Sequence, residues 1–199
     1  MSIKEILEEL PEMSREERQQ LRTRLDFEDL SIGDAALSTS RILDRPGSPL
    51  PLNVVTNLAG LEVMQRVLSG ELPPPPAAAI TRIYPVEAWE GCAMFDGEPS
   101  ERFLNPDGKI HGGWVATILD SAMAWAVLSR LAAGQSYTTV QMQLNFVRPV
   151  TVNTGRVRCV GRVVHFGKRV ATAEGRLTDQ AGKLLAHGSE SCLLMEGKT

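Results

Sequence analysis

The motif His111-Gly112-Gly113 stands directly before a long apolar segment that carries a single acid, Asp120, nine positions after the histidine. Glycines at the start of a helix leave backbone N–H groups uncovered, and such groups can hold an oxyanion. A carboxylate among apolar neighbours is unfavourable unless it has a partner or a task. This pattern indicates acyl-transfer chemistry, which needs an oxyanion donor and an acid that attacks or activates water. The competing interpretation is a plain turn followed by a solvent-facing aspartate.

The elements that must position these residues are a helix and an antiparallel sheet. The apolar segment predicts a helix over 112–132, closed by Gly134. Three or four strands are expected after the helix, at 138–148, 155–165, 168–179 and 183–194, and two more within 80–97, turning near Glu90-Gly91. Because the strands are adjacent and joined by short turns, the sheet should be antiparallel. One long helix against such a sheet is an α+β arrangement.

The N-terminal part of the chain has a different character. Residues 1–30 predict two short helices, because the pairs Ser2/Glu5 and Ser14/Glu17 match the capping-box spacing. A linker rich in glycine and proline is expected over 31–55. We therefore divide the chain into a helical extension with its linker at 1–55 and a main domain at 56–199.

A helix and a spacer are expected between the linker and the strands. Apolar residues recur at helical spacing from Asn57 to Ser69, with Gly70 as the stop. The four prolines at 73–76 then predict a stiff, extended spacer. The stretch 100–111 predicts a loop, because it contains Asn-Pro and Asp-Gly turn signals.

Composition and charge argue against several classes of protein. The net charge of −3 offers no basic surface for nucleic acid, and the charged, amphipathic first ten residues are unlike a signal peptide. The longest apolar stretch, 114–133, is interrupted by Asp120 and Arg130, which argues against a membrane span. The three cysteines are too few and too far apart for a disulfide framework or a metal site. They are expected to be small buried side chains of a cytoplasmic protein: Cys92, Cys159 and Cys192.

Several motifs, taken together, resemble a known family. They are Asn105-Pro106, His111-Gly112-Gly113, Asp120, Thr138-Thr139, Phe146 and Arg148-Pro149, followed by a tail that runs from Gly161-Arg162-Val163 to Ala186-His187-Gly188. In this order and spacing they are similar to the hotdog-fold acyl-CoA thioesterases, in particular the PaaI-like group of the 4-hydroxybenzoyl-CoA thioesterase superfamily. The resemblance covers about residues 58–196 and leaves residues 1–55 outside it.

The resemblance implies a hotdog fold, in which a curved antiparallel sheet wraps around the central long helix, here with an N-terminal helical extension. Members of the family pair two sheets edge to edge into a homodimer, often as a dimer of dimers. Their active sites lie between subunits, where the His-Gly-Gly loop of one subunit faces the Asp-bearing helix of the other. The acid inside the apolar helix would then have neighbours from a second chain.

The resemblance also implies roles for individual residues. Asp120 is expected to be the catalytic carboxylate, which either attacks the thioester carbonyl or takes a proton from water, and the sequence does not separate these routes. The N–H of Gly112 is expected to bind the thioester oxygen, a contribution of roughly 3 kcal/mol. Gly113 lies beside it in the substrate-binding loop. Asn105 is expected to orient the water or the carboxylate, against the alternative that it only forms a turn before Pro106.

Two positions in the motif have competing assignments. Thr139 aligns with a serine or threonine that hydrogen-bonds near the nucleophilic water in the family. Thr138 competes for this substrate-facing role, because the match needs a one-residue gap after the helix. His111 is expected to be mainly structural, holding the loop or capping the helix, while its place next to Gly112 leaves a supporting catalytic role open.

The expected partner is an acyl-CoA substrate, with coenzyme A as part of that substrate rather than a separate cofactor. Its phosphates need cations, and candidates are Arg148 and a group near the turn at 167: Arg162, Lys168 and Arg169. The alternative is that these are solvated turn charges. No metal is expected, since no His, Cys and Asp cluster has ligand spacing. Four large side chains either line an apolar acyl pocket or form core: Trp114, Met123, Trp125 and Tyr137.

Two other functions compete with thioester hydrolysis. A hotdog-fold dehydratase or hydratase would use a His–carboxylate pair in a different arrangement, and the chain lacks the Gly-His-Phe-Pro motif of the acyl-carrier dehydratases. The N-terminal extension favours a non-catalytic acyl-CoA sensor or assembly module, because added elements can convert an enzyme fold into a binding one. The presence of Asn105, Gly112 and Asp120 argues against a site that has lost its catalytic function.

Overall fold

A long helix packed against an antiparallel sheet forms the centre of the structure, a computed structural model that describes Ser14 and residues 46–196. The helices are α1 (Leu52–Asn57), α2 (Gly60–Ser69), α3 (Pro76–Thr81) and α4 (Gly112–Leu128). The strands are β1 (Ile83–Trp89), β2 (Cys92–Gly97), β3 (Gln135–Phe146), β4 (Val157–Phe166), β5 (Val170–Thr178) and β6 (Leu184–Glu196). Short 3-10 turns at Glu101–Phe103 and Val152–Thr154 precede α4 and β4, respectively.

The six strands form one sheet in the order β1-β2-β4-β5-β6-β3, and every neighbouring pair is antiparallel. β1 and β2 are joined through Glu90 and Gly91, where the sequence predicts a turn. β3 follows α4 in the chain but lies at the far edge of the sheet, where β6 is its neighbour. The predicted antiparallel sheet and α+β class are confirmed. Within the described residues, the outer edge of β3 has no strand beside it.

The helix α4 packs against β2, β4, β5 and β6 and is apolar around most of its circumference. This is the pattern of a helix that a sheet encloses. Ile118, Leu119 and Met123 have no exposed surface. Burying each of these side chains stabilises the fold by about 1.5–3 kcal/mol. A central helix enclosed by an antiparallel sheet is also the arrangement that the family resemblance implies.

The helix α4 and the strand β4 approach each other closely at Gly161. A Cβ built on Gly161 would lie 2.1 Å from the backbone carbonyl oxygen of Ala122, far inside the van der Waals limit. Any other residue would therefore push α4 away from the sheet. The absence of a side chain at Gly161 thus sets how tightly the helix packs.

The segment before the sheet differs from the sequence prediction in two places. The helix expected over 57–69 is divided, because extended backbone at Leu58 and Ala59 separates α1 from α2. The expected proline spacer is extended only as far as Pro75, and Pro76 is the first residue of α3. Proline suits the first turn of a helix, since the N–H that it lacks would have no partner there.

The helix α4 ends at Leu128 rather than near residue 132. Ser129 closes it, because its hydroxyl donates to the carbonyl of Ala126 (2.7 Å) and accepts the N–H of Gly91 (2.8 Å). This contact fastens the end of α4 to the turn between β1 and β2. Gly134, the expected stop, lies in the following turn with a positive φ of 82°.

The division of the chain at 55/56 falls inside α1, so the chain is helical at 52–55 rather than a linker there. The two helices expected over 1–30, apart from Ser14, and the linker up to residue 45 lie outside the described residues. Cys92, Cys159 and Cys192 are buried and form no disulfide, as expected. Within 46–196, no helix has the length and apolar character that a membrane span requires.

Candidate active site

The hydrogen bonds in the first turn of α4 are unevenly distributed. His111 caps the helix through Nδ1, which accepts the N–H of Gly113 at 2.9 Å. The carbonyl of His111 accepts the N–H groups of Trp114 (3.0 Å) and Val115 (3.4 Å). Within the described chain, this leaves the N–H of Gly112 without an acceptor. Gly112 therefore presents an open donor at the positive end of the helix dipole.

The two glycines of the motif have different structural roles. A Cβ on Gly113 would lie 2.9 Å from Nδ1 of His111, so a side chain there would displace the capping histidine. A Cβ on Gly112 would lie 3.5 Å from the ring of Phe146, which is an ordinary van der Waals contact. Glycine at 113 therefore makes room for the capping imidazole of His111. Gly112 faces the ring of Phe146 and leaves space between the helix start and that ring.

A cleft of about 270 Å³ lies beside Gly112. The loop before α4, the first turn of α4 and the chain at the end of β3 supply its remaining walls: Asn105, Lys109, Ile110, Val115, Phe146, Val147, Arg148, Pro149 and Val150. Phe146 is 58% exposed, and Lys109 and Arg148 add two positive charges. Arg148 is anchored, because its Nη1 donates to the carbonyl of Leu184 (2.6 Å). The cleft thus combines an open N–H, exposed apolar surface and cations.

Asn105 forms the turn that precedes α4. Its Oδ1 accepts the N–H groups of Asp107 and Lys109, both at 3.0 Å. The turn-forming interpretation of Asn105 is therefore realised in the structure. Because Asn105 also lines the cleft, its amide NH₂ group remains available as a donor toward a bound molecule.

Asp120 lies partly buried in the middle of α4, and its carboxyl group shares a side-chain hydrogen bond with Glu190. Burial raises the pKa of Asp120, because a carboxylate loses water that its apolar neighbours do not replace. The hydrogen bond with Glu190 acts in the opposite direction and lowers the pKa of Asp120. Asp120 is therefore a partly desolvated acid with a specific partner, and not a solvent-facing residue.

Glu190 is on β6, and only 1% of its surface is exposed. Its Oε1 accepts hydrogen bonds from the hydroxyl of Thr139 (3.0 Å) and from the thiol of Cys192 (2.8 Å). Burial raises the pKa of Glu190 to about 7, and the adjacent negative charge of Asp120 acts in the same direction. Two carboxyl groups, a hydroxyl and a thiol thus form one polar cluster, in which Glu190 and Cys192 are buried and Asp120 and Thr139 are partly buried.

Glu190 was missed by reasoning from sequence, although the strand pattern contains a signal for it. In β6 the inward-facing positions alternate, and Ala186, Cys192 and Leu194 are buried at even numbers. Glu190 has the same parity and therefore points inward with them. An acid in phase with the buried side of a strand indicates a functional or paired carboxylate.

The predicted residues form two groups rather than one. Asn105 shares the cleft with Gly112, whereas Thr139 is connected to Asp120 through Glu190. Gly112 and Asp120 are eight residues apart on α4, which is about 12 Å along the helix axis. A single carbonyl group therefore cannot contact both in one chain.

The remaining predicted binding residues lie away from the cleft. Thr138 is exposed and alternates with Thr139, so it points to the other side of β3. Arg162 lies within β4, opposite Cys92 and Glu174. Lys168 and Arg169 are exposed in the turn between β4 and β5.

That turn is near the C-terminal end of α4, because Phe166 at its start packs under Arg130, with 5.0 Å between the guanidinium and the ring centre. The helix α4 has 17 residues, so its two ends are about 25 Å apart. Lys168 and Arg169 therefore lie at the opposite end of the helix from Gly112 in the same chain.

Of the four large side chains that the sequence leaves open as pocket or core, Trp114 and Met123 are buried in the core, and Trp125 and Tyr137 are half-buried and pack against it. Trp114 also donates its Nε1 hydrogen to the carbonyl of Thr81 (2.8 Å), which ties the start of α4 to α3. Burial raises the pKa of Tyr137, whose ring lies near Cys192, Glu190 and Asp120. Among the residues that the structure describes, His, Cys, Asp and Glu form no group of three that could hold a metal ion.

Known proteins are similar to this chain in sequence and in fold. Residues 107–186 match the family model of the Thioesterase superfamily. That range contains Gly112, Asp120 and Thr139 and begins after Asn105. Acyl-coenzyme A thioesterase 13 from Homo sapiens is 33% identical over 106 residues, which are 52% of this chain and 73% of the human protein.

Solved structures agree with the sequence relatives. A putative thioesterase from Ralstonia eutropha, described as a phenylacetic acid degradation-related protein, is 31% identical with a TM-score of 0.59. The match covers 65% of this chain and 97% of that protein. The PaaI protein of the phenylacetic acid degradation operon of E. coli is 20% identical with a TM-score of 0.60. It covers 71% of this chain and 99% of that protein, and it supports the fold alone.

Proposed function

Because this chain belongs to the thioesterase superfamily and has the PaaI-like hotdog fold, we propose that it hydrolyses an acyl-CoA thioester to a carboxylic acid and free coenzyme A. The observation that carries the proposal is the open N–H of Gly112, the first residue of α4, beside a cleft with exposed apolar and cationic side chains. A partly buried carboxylate on the same helix, Asp120, supplies the second requirement of the reaction.

In the proposed reaction, Gly112 stabilises the charge that develops on the thioester oxygen. A preorganised backbone donor at a helix start stabilises such an oxyanion by roughly 3 kcal/mol. In one route, Asp120 takes a proton from water as the water attacks the carbonyl carbon. The C–S bond then breaks, and the coenzyme A thiolate takes a proton from Asp120. In the other route, Asp120 attacks the carbonyl carbon, the C–S bond breaks, and the coenzyme A thiolate leaves. Water then hydrolyses the resulting anhydride to the free acid and Asp120, and a proton from that water converts the thiolate into the thiol.

The separation of the two groups supports a site built by two copies of the chain. Because Gly112 and Asp120 are about 12 Å apart along α4, we assign the oxyanion donor to one subunit and the acid to the other. The outer edge of β3 offers the surface for this pairing, since it is long, has no strand beside it among residues 46–196 and exposes 60% of Val140. A two-fold axis beside β3 would extend the sheet across a homodimer.

The cleft also supplies features for recognising coenzyme A. Lys109 and Arg148 place positive charge next to Gly112, which suits the phosphates of the substrate. Arg162, Lys168 and Arg169 remain candidates, because a two-fold partner would bring the far end of its own helix toward this cleft. Asn105 is proposed to donate through its amide to the bound thioester or to water. Gly113 and His111 support the donor by holding the first turn.

The proposal is tested by measuring thiol release from aryl-, short-chain and medium-chain acyl-CoAs with the wild-type protein and with Asp120→Asn. Removing a general base or nucleophile is expected to lower kcat by about 10²–10⁴-fold, while binding of acyl-CoA is retained. The matched control is Asp179→Asn, because Asp179 only caps the exposed turn before β6. Tight binding of acyl-CoA without turnover would contradict hydrolysis and favour a sensor or assembly module.

A further inference from the structure

The carboxyl group of Glu190 has an asymmetric environment. Both donors that reach it, the hydroxyl of Thr139 and the thiol of Cys192, point to Oε1. The other oxygen, Oε2, is buried and accepts no hydrogen bond from a donor group within the described residues. An ionised carboxylate with one buried oxygen that accepts no hydrogen bond is strongly unfavourable, because burial removes the water that hydrated this oxygen and no donor replaces it.

A neutral carboxylic acid fits this environment better than a carboxylate. Such a group has one carbonyl oxygen, which accepts hydrogen bonds, and one hydroxyl, which donates one. Oε1 already has the two donors that a carbonyl oxygen can accept. Oε2 is then the hydroxyl and needs an acceptor. The carboxyl group of Asp120, which shares a side-chain hydrogen bond with Glu190, is the acceptor available to it.

We propose that Glu190 is a positioning residue, which acts as a neutral carboxylic acid and donates a hydrogen bond from Oε2 to the carboxylate of Asp120. The proposal rests on the proposed function, because it gives Glu190 the task of orienting the acid that performs the hydrolysis. The shared proton fixes one oxygen of Asp120 and leaves the other free to face the substrate. Glu190 itself does not touch the reacting atoms.

The charges around Glu190 favour this protonation state. The titratable groups that face it are Asp120 from α4, Tyr137 from β3 and Cys192 from its own strand. From β5, the residue paired with it is Ala173, which is apolar. Each of the three titratable neighbours is negative or neutral, so one proton is retained between the two carboxyl groups. Burial raises the pKa of Asp120, and the hydrogen bond with Glu190 acts against this by favouring the ionised form of Asp120.

The first test reads the protonation of Glu190 directly and does not require activity. The full-length protein is labelled with ¹³C at the glutamate side-chain carboxyl, and the carbon of Glu190 is followed by NMR as the pH changes. Its signal is identified by its loss in Glu190→Gln. We expect a midpoint near 7 in place of the usual 4.5. In Asp120→Asn the midpoint should move toward acid, because the neighbouring negative charge is removed.

A midpoint for Glu190 near its usual value, or one that Asp120→Asn leaves unchanged, would overturn the proposal. The same experiment separates this failure from failure of the proposed function. If no acyl-CoA is hydrolysed but Glu190 titrates as expected, the carboxyl pair stands and the hydrolysis is rejected. If acyl-CoA is hydrolysed and Glu190 titrates normally, the hydrolysis stands and the pair is rejected.

The second test compares the pH profiles of kcat for two variants of Glu190. In Glu190→Gln, the amide oxygen can accept from Thr139 and Cys192, and the amide NH₂ can donate to Asp120 at any pH. In Glu190→Leu, neither is possible. We expect wild-type kcat to fall as Glu190 ionises above about 7, Glu190→Gln to lack this fall, and Glu190→Leu to lose up to about 100-fold at every pH.

Equal kcat profiles for Glu190→Gln and Glu190→Leu would overturn the positioning role, because only the amide preserves the hydrogen bond. Circular dichroism and thermal unfolding of both variants show whether each is folded at the pH of the assay. If Glu190→Leu does not fold, Glu190→Gln against wild type still decides the outcome through the presence or absence of the fall above pH 7.

Discussion

Nδ1 of His111 accepts the N–H of Gly113 at 2.9 Å, whereas the preceding N–H, that of Gly112, has no acceptor among the described residues and lies beside the cleft. The capping histidine therefore occupies one of two adjacent backbone donors, and the other is available to a bound molecule. The same contact requires glycine at 113, since a Cβ there would meet the imidazole at 2.9 Å. In the order His-Gly-Gly, the second glycine is therefore required by the space that the imidazole occupies. The first glycine supplies the N–H that we propose as the oxyanion donor.

Gly112→Pro is expected to remove the oxyanion donor while preserving the helix. Gly112 occupies the first position of α4, where proline is well tolerated, and His111 before it has the extended ψ of 136° that proline prefers. Gly112→Ala is the matched control, because it adds a Cβ but keeps the N–H. We expect kcat of Gly112→Pro to be about 10²-fold below that of Gly112→Ala. Equal activity of the two variants would exclude this N–H as the donor.

Mixing two inactive variants is expected to restore activity if each site uses Gly112 from one subunit and Asp120 from the other. Co-expressed Gly112→Pro and Asp120→Asn chains form mixed dimers in which one site has both wild-type groups. With random pairing, we expect about a quarter of the wild-type turnover. Turnover no greater than the mean of the two separate variants would show that both groups act within one chain.

Stability is expected to depend on pH through Glu190. Its pKa is raised from 4.5 to about 7 in the folded protein, so between these values the folded state holds a proton that the unfolded state has released. The free energy of unfolding therefore decreases as the pH rises from 4.5 to 7, by at most about 3 kcal/mol. Urea unfolding at several pH values and one protein concentration measures this loss.

Glu190→Gln is the control for this pH dependence, since an amide does not titrate. We expect its free energy of unfolding to be flatter than that of the wild type between pH 4.5 and 7. A wild-type curve that is flat in this range, or one that rises with pH, would contradict a raised pKa for Glu190. The Tm measured across the same pH range provides an independent check of the direction.

Gly161→Ala is expected to destabilise the fold by about 1–3 kcal/mol, because the added methyl meets the backbone of α4 rather than a side chain that can move. Gly112→Ala again serves as the control, since its Cβ makes only an ordinary contact with Phe146. Chemical unfolding at fixed pH compares the two. Equal stability of Gly161→Ala and the wild type would show that α4 can shift away from β4 without loss.

Lys109→Gln is expected to raise the KM for acyl-CoA by about 3- to 10-fold and to leave kcat nearly unchanged, because Lys109 lines the cleft and offers charge to the phosphates. Lys168→Gln, in the turn between β4 and β5, is the matched comparison. The KM for an acyl thioester of N-acetylcysteamine, which lacks phosphates, should be unaffected by either substitution. A larger KM effect for Lys168→Gln would place the phosphates at the far end of the partner's helix instead.

The sequence was sufficient for the fold wherever a periodic pattern and a turn signal agreed. The start of α4 at Gly112 and the turn at Glu90-Gly91 were both predicted at the observed position. The end of α4 was not, because the apolar pattern continues past Leu128. The helix ends there through the hydroxyl of Ser129, which bonds to Gly91, 38 residues earlier in the chain. The residues around position 128 alone cannot predict a contact between groups so far apart in the chain.

The site was predictable only where residue type alone was informative. Asp120 is conspicuous as an acid in an apolar helix, whereas Glu190 is flanked by two serines and resembles an exposed strand residue unless the strand's parity is followed. The cations at 168 and 169 were chosen from sequence proximity to a turn, and the structure places that turn at the opposite end of α4 from Gly112. Position along the helix axis, about 1.5 Å per residue, separates the two.

The helix α4 extends from Gly112, at the cleft, through Asp120 to Ser129, which anchors its other end. In the proposed dimer, its first turn serves one site and its middle serves the other. Because close packing at Gly161 leaves the helix little freedom to bend locally, we expect it to shift as a unit. Substrate binding at one active site would then alter the geometry of the second active site, so the two sites of the proposed dimer would be coupled rather than independent.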